Sequence, residues 1–154
     1  MKAGRMFAMA TAGALLLSLG APLAVAGPDE SIKARQELMK SQGKAMGPMV
    51  AIMKGEAAYD PATIKASVDA FHAAWETAKP SDPWAADSAK GTVETYAKAE
   101  IWSDPEGFKA AFAALTAGLD KLAASSDEAS FKTAFADVGN SCKGCHDKFR
   151  RPKD

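Results

Sequence analysis

Residues 131–149 read FKTAFADVGNSCKGCHDKF, and their apolar side chains recur at alternating steps of four and three. The recurring residues are Phe131, Phe135, Val138, Cys142, Cys145 and Phe149. Steps of this size place side chains on one face of an α-helix. We therefore predict a helix that turns both cysteines toward the interior of the protein.

Three capping signals predict where helices begin. Residues 125–128 have the Ser-x-x-Glu spacing of a capping box before the last helix, with Ser125 as the cap. Asp60-Pro61 and Asp104-Pro105 each combine a cap residue with proline at the first helical position. Each of the two helices that begin at these pairs is predicted to carry one apolar face. The faces consist of Ile64, Val68, Phe71 and Trp75 in one helix, and of Phe108, Phe112, Leu115, Leu119 and Leu122 in the other.

A further helix is predicted nearer the start, from about Glu30 to Lys54. Its apolar ladder repeats every seven residues and comprises Ile32, Met39, Met46 and Met53. Gly43, Gly47 and Pro48 predict a bend or break in the middle, because proline cannot donate a helical hydrogen bond.

The fold class predicted from these segments is all-α. No run of alternating β-branched residues indicates a strand. Residues 79–103 form a long, weakly patterned connection, and we expect a side chain or an element to pack beneath it. Four helices with one long connection predict an antiparallel four-helix bundle.

The first 26 residues are typical of a secretory signal peptide. Lys2 and Arg5 precede an apolar stretch, and Ala24-Val25-Ala26 offers a small-x-small cleavage site. The alternative, an uncleaved membrane anchor, needs about 20 apolar residues, and this stretch is shorter and interrupted. We predict cleavage after Ala26, no membrane insertion afterwards, and a single domain over residues 27–154 in the periplasm.

The charge of the chain is balanced, with 19 basic and 19 acidic residues. Removal of residues 1–26 takes away Lys2 and Arg5 and leaves 17 basic against 19 acidic residues, a formal charge of −2. No basic stripe is interleaved with aromatic residues, so nucleic acid is not an expected partner.

Residues 142–146 carry the most specific motif, Cys-Lys-Gly-Cys-His, which is the pattern of c-type haem attachment. In this interpretation each thiol forms a thioether with one haem vinyl group, and His146 is an axial iron ligand. Two alternatives fit less well. A redox-active Cys-x-x-Cys belongs in an α/β fold, and a structural zinc site needs four ligands, of which only His72 could be the fourth.

Four sequence blocks resemble the class II c-type cytochromes, the family that contains cytochrome c′ and its low-spin electron-transfer relatives. The blocks are KARQELM at 33–39, KGEAAYD at 54–60, EIWSD at 100–104 and DVGNSCKGCHDKFR at 137–150. The resemblance covers essentially the whole chain after residue 26. It implies one covalent haem c per chain, in the core of the bundle near the C-terminal helix.

The resemblance also implies roles for further residues. It places Arg35 and Gln36 near the haem edge and propionates, and a guanidinium suits a carboxylate because it can bind in bidentate fashion. From spacing alone, an exposed helix arginine is the favoured interpretation of Arg35. The remaining residues implied at the haem are Met39, Tyr96, Phe149 and Arg150.

The function depends on Met39, which the resemblance places over the iron face opposite His146. If Met39 is the sixth ligand, the protein is a single-electron carrier with redox protein partners, which is our first interpretation. Methionines at helical spacing are often adaptable core residues, so Met39 can also cover the iron without binding it. In that case the protein is a five-coordinate, cytochrome c′-like binder of nitric oxide or carbon monoxide. His72 is a weaker candidate ligand on the second helix.

Catalysis is not expected, because no distal histidine–arginine pair for peroxide cleavage is recognisable around Met39. A homodimer through the first helix is compatible with the resemblance.

Overall fold

The computed structural model describes residues 27–152 and is helical throughout its regular structure. Its helices are α1 (Pro28–Met53), α2 (Pro61–Ala78), α3 (Glu100–Ser103), α4 (Pro105–Ala123) and α5 (Glu128–Phe149). The four long helices form a four-helix bundle, in which α1 lies along α2 and α4 lies along α5. This confirms the predicted fold class. The predicted signal peptide lies outside the described residues.

Two helix starts agree with the predicted caps. The Asp60 carboxylate accepts hydrogen bonds from the backbone N–H groups of Ala62 at 3.2 Å and Thr63 at 3.0 Å. The Asp104 carboxylate accepts one from Gly107 at 3.0 Å. Each carboxylate satisfies backbone donors that have no partner inside the first helical turn.

The cap of α5 lies two residues later than predicted. Asp127 is the N-cap, and its carboxylate accepts from Ser130 N at 2.7 Å, while Ser130 Oγ accepts from Asp127 N at 3.2 Å. The Ser125 hydroxyl instead donates to the Leu122 carbonyl at 2.7 Å, at the end of α4. Aspartate caps a helix as well as serine does, and Ser125 is bonded to the preceding helix.

Helix α1 is continuous from Pro28 to Met53, so the bend or break predicted near Pro48 is not a break. Pro48 is exposed, whereas Ala45, Met49 and Ile52 around it are buried in the core, and this packing holds the turn together. Of the seven-residue ladder, Ile32 is buried and Met39, Met46 and Met53 are half-buried. The buried residues are Ser31, Ile32, Arg35, Leu38, Gln42, Ala45, Met49 and Ile52.

The bundle is packed at one end and hollow at the other. The packed end is a cluster of buried apolar side chains from all four long helices: Ala45, Met49, Ile52, Ile64, Val68, Phe71, Leu119, Leu122, Phe131, Ala134 and Val138. Farther along α1, α4 and α5, several apolar side chains are only half-buried: Met39, Met46, Phe108, Phe112, Leu115, Cys142 and Cys145. This division leaves room for a ligand between the helices.

The connection between α2 and α4 closes the hollow end. It begins with a 3₁₀ turn, Lys79–Ser81, and ends with α3. A short antiparallel bridge joins Ala97 to Arg150, just beyond α5. Within residues 27–152, no helix is long and apolar enough to cross a membrane.

Candidate cofactor cavity

The hollow end contains a cavity of about 580 Å³, within the size range of cofactor sites. All nine residues assigned to the haem from the sequence line it: Arg35, Gln36, Met39, Tyr96, Cys142, Cys145, His146, Phe149 and Arg150. His72 is exposed on α2 and is not part of the lining. The residues that the sequence motifs and the resemblance indicated therefore converge on one site.

The two cysteines line the cavity from α5 and are half-buried, with free thiols. Burial raises the pKa of both thiols, and the neighbouring Cys142 adds to the increase at Cys145. Redox-active Cys-x-x-Cys pairs depend on the opposite shift, a lowered thiol pKa. The surroundings of these thiols therefore do not favour the redox interpretation.

His146 stands beside Cys145 and is half-buried in the same wall. Burial lowers the pKa of His146, the positive charge of Arg150 lowers it further, and Asp147 opposes both. A lowered pKa favours the neutral imidazole, whose unprotonated nitrogen can coordinate iron.

The zinc interpretation lacks its fourth ligand at the cavity, because His72 lies elsewhere. Across the described part of the chain, no group of three or more His, Cys, Asp or Glu side chains is placed to hold a metal ion.

Arg35 reaches the cavity from α1 and is buried, with 5% of its surface exposed. Its Nη1 donates to the Pro83 carbonyl at 2.8 Å and to Ser88 Oγ at 3.2 Å. Its Nη2 donates to the Ser88 carbonyl at 3.2 Å and to Thr95 Oγ1 at 2.9 Å. Arg35 is therefore not an exposed helix arginine, and it packs beneath the long connection.

The four acceptors of Arg35 are all uncharged, so none of them neutralises the guanidinium. Burial lowers the pKa of Arg35, but arginine keeps its charge in proteins. Next to it, the Gln36 Nε2 donates to the Glu94 carbonyl at 2.8 Å. The cavity wall therefore carries a buried positive charge that suits an anionic group on a ligand.

Aromatic rings form much of the remaining wall. Phe108 of α4 contacts Trp84, Phe112 and Phe149 edge-on, with centroid distances of 5.0, 5.1 and 5.1 Å. The sequence had assigned Phe108 and Phe112 only to an apolar stripe. Trp84 carried no signal there, because it lies in the unpatterned connection.

Trp84 adds an indole ring to the cavity wall. Its indole ring lies 5.2 Å from the Arg35 guanidinium carbon. Its Nε1 is the one fully buried side-chain nitrogen or oxygen within residues 27–152 that has no hydrogen-bond partner. A buried donor of this kind is costly. The cavity itself offers aromatic walls and a positive charge, which suit a flat apolar ring system bearing carboxylates.

A four-helix bundle with a Cys-x-x-Cys-His motif in the wall of such a cavity has the features of a haem-binding bundle protein. Comparison with known proteins agrees. The family model described as Cytochrome C′ matches residues 30–150. Cytochrome c′ from Alcaligenes xylosoxydans is 37% identical over 131 residues, which cover 83% of this chain and 98% of that protein.

Two further relatives extend the comparison. Cytochrome c-556 from Rhodopseudomonas palustris is 32% identical, covering 90% of this chain and 93% of that protein. The structure of the nitric oxide complex of a cytochrome c′ variant from Alcaligenes xylosoxidans superposes with a TM-score of 0.71 at 35% identity, covering 83% and 98% of the two chains. The chain belongs to the cytochrome c′ family, and its cofactor is covalent haem c.

Proposed function

We propose that this chain binds nitric oxide or carbon monoxide at a haem held in the cavity through Cys142, Cys145 and His146. One observation carries the proposal: His146 is the only histidine in the cavity wall, since the chain has two and the other, His72, is exposed elsewhere. No second imidazole is therefore available to bind the iron. The nitric oxide complex of the cytochrome c′ variant supports the same function.

When bound, the haem would be held by Cys142, Cys145 and His146, and its iron would supply the centre that binds the gas. The chain contributes the surroundings. Met39 and Met46 line the cavity from α1, and Phe112 and Leu115 line it from α4. These apolar side chains disfavour water and charged ligands, while a small uncharged gas loses little hydration on binding beside them. The proposed activity is therefore binding, without chemical change of a substrate.

The comparisons support gas binding better than our first interpretation, electron transfer with Met39 as sixth ligand. Electron transfer remains a second candidate, because Met39 is a half-buried cavity residue and a thioether is an established haem ligand. The similarity to cytochrome c-556 is a further reason to test it. Redox protein partners and a homodimer stay predictions.

Nitric oxide titration of the ferrous protein tests the proposal. We expect wild type, Met39→Leu and the control Met53→Leu to share one gas-free spectrum and to bind the gas with similar affinity. Met53 is a suitable control because it is a half-buried α1 methionine outside the cavity lining. If Met39→Leu alone changes the gas-free spectrum from low-spin to high-spin, Met39 is an iron ligand and the second candidate replaces the first.

We also propose that the protein works in the periplasm after cleavage between Ala26 and Gly27. The signal-like composition of residues 1–26 supports this. Intact mass measurement of protein from the periplasmic fraction tests it. A mass for residues 27–154 plus one haem is expected, and a mass that retains residues 1–26 would refute cleavage.

A further inference from the structure

The buried guanidinium of Arg35 holds together a wall of the cavity that has little helical structure of its own. We propose that Arg35 is a positioning residue that fixes residues 83–95 against α1 and thereby limits how fast a gas reaches the cavity. The inference about gas access rests on the proposed function. The inference about the wall does not.

The contacts of Arg35 are spread along the connection, and they act together with two neighbours on α1. Asp29 accepts from Thr92 N at 2.7 Å and from Val93 N at 3.1 Å, and Gln36 donates to the Glu94 carbonyl. Of the three, only Arg35 has acceptors at several points of the segment. They begin at the Pro83 carbonyl, continue at Ser88 and end at Thr95 Oγ1. Pro83 and Ser88 are themselves fully buried. The segment between these points has no long helix, so its position depends on contacts of this kind.

Thr95 links this wall to the other side of the cavity. Its hydroxyl accepts from Arg35 on α1, and its carbonyl accepts from the Arg151 Nη2 at 2.7 Å, just beyond α5. Thr95 and its neighbour Tyr96 both line the cavity. A loss of the Arg35 bond therefore loosens the wall at a residue that faces the ligand space.

Lysine cannot replace arginine here, although it keeps the charge. The guanidinium presents its N–H groups in a rigid planar fork, whereas a lysine ammonium is a single point. One ammonium cannot reach acceptors at Pro83, Ser88 and Thr95 together. Arg35→Lys therefore separates the positioning role from the charge.

The experiment uses the haem-loaded protein and two measurements. Hydrogen exchange reports the protection of backbone amides in residues 83–98, and flash photolysis reports the association rate of carbon monoxide. For Arg35→Lys we expect protection to fall by about tenfold or more, the effect of losing a hydrogen bond to a charged group. We expect association to become about threefold faster or more, because a loosened wall no longer limits access.

Thr95 supplies a milder pair of variants if Arg35→Lys does not fold. Thr95→Val removes the hydroxyl acceptor at nearly constant shape, and both effects should appear in smaller size. Thr95→Ser keeps the acceptor and should restore the wild-type values. Lys33→Ala, an exposed α1 control, should change neither measurement.

Unchanged wall protection in both Arg35→Lys and Thr95→Val would overturn the positioning role. Lower protection with an unchanged association rate would overturn the inference about gas access alone. A wild-type protein that takes up no carbon monoxide would overturn the proposed function, and the exchange measurement would still decide whether Arg35 fixes the wall.

Discussion

Arg35 Nη2 donates a hydrogen bond at 2.9 Å to Thr95 Oγ1, a residue 60 positions further along the chain. The contact joins the first helix to the long connection and brings a charged side chain beneath it. Pro83 and Ser88 are fully buried, so the oxygens that accept from Arg35 there depend on its guanidinium as their donor.

Arg35→Met should lower the free energy of unfolding by about 2–4 kcal/mol, because it leaves buried oxygens at Pro83 and Ser88 without their donor. Denaturant titration of the haem-loaded protein measures this. Lys33→Met, at an exposed position of the same helix, is the control and should stay within about 0.5 kcal/mol of wild type. Equal stability of the two variants would contradict the role given to Arg35.

Two helical glycines should respond differently to alanine. Gly139 on α5 has open space where a Cβ would stand, so Gly139→Ala should stabilise the protein by about 0.5–1 kcal/mol through helix propensity. At Gly118 on α4, the added Cβ would lie 3.1 Å from Val138 Cγ2. Gly118→Ala should therefore be less stable than Gly139→Ala by about 1 kcal/mol or more in thermal unfolding. Similar gains for both would show that α4 and α5 pack less tightly than described.

Acid should weaken the link between α4 and α5. Lys148 Nζ donates to the Asp104 carboxylate at 2.6 Å, and this bond, together with the Gly107 N–H, holds the pKa of Asp104 below its ordinary value. A lowered folded-state pKa contributes stability at higher pH that is lost as the pH falls through the folded-state value. The free energy of unfolding should thus fall below about pH 4.

Asp104→Asn should make that acid dependence shallower, measured by denaturant titration at a series of pH values. Asp120→Asn, an exposed carboxylate on the same helix, should retain the wild-type slope. Parallel slopes for the two variants would mean that Asp104 contributes nothing to acid sensitivity.

Covalent haem attachment should depend on the pair Cys142 and Cys145. The double variant Cys142→Ser and Cys145→Ser should lose the haem on a denaturing gel, because serine cannot form the thioethers. Lys143→Ala keeps the motif and should retain the haem. Haem that stays attached in the double variant would exclude these residues as the attachment site.

Helix positions were largely predictable because local chemistry determines them. The carboxylates of Asp60 and Asp104 bind backbone N–H groups two or three residues further along the chain, so each cap can be recognised from its position before the helix. The error at α5 arose because Ser125 and Asp127 are both good caps, and the choice between them depends on the Leu122 carbonyl of the preceding helix.

The site was predictable in part. Cys142, Cys145 and His146 form a compact motif whose spacing alone indicates haem chemistry. Trp84 and the acceptors of Arg35 gave no comparable signal, because they come from a segment without periodicity and meet α1 only through the tertiary fold. Periodic patterns identify the faces of helices, and they carry no information about polar contacts to an irregular connection.

We claim that His146 would be the one residue of this chain that binds the haem iron, which would leave the iron open to a gas. The absorption spectrum of the ferrous protein, recorded before and after addition of carbon monoxide, tests it most directly. We predict a high-spin five-coordinate spectrum that shifts fully on addition of the gas. A low-spin ferrous spectrum that carbon monoxide leaves unchanged would contradict the claim.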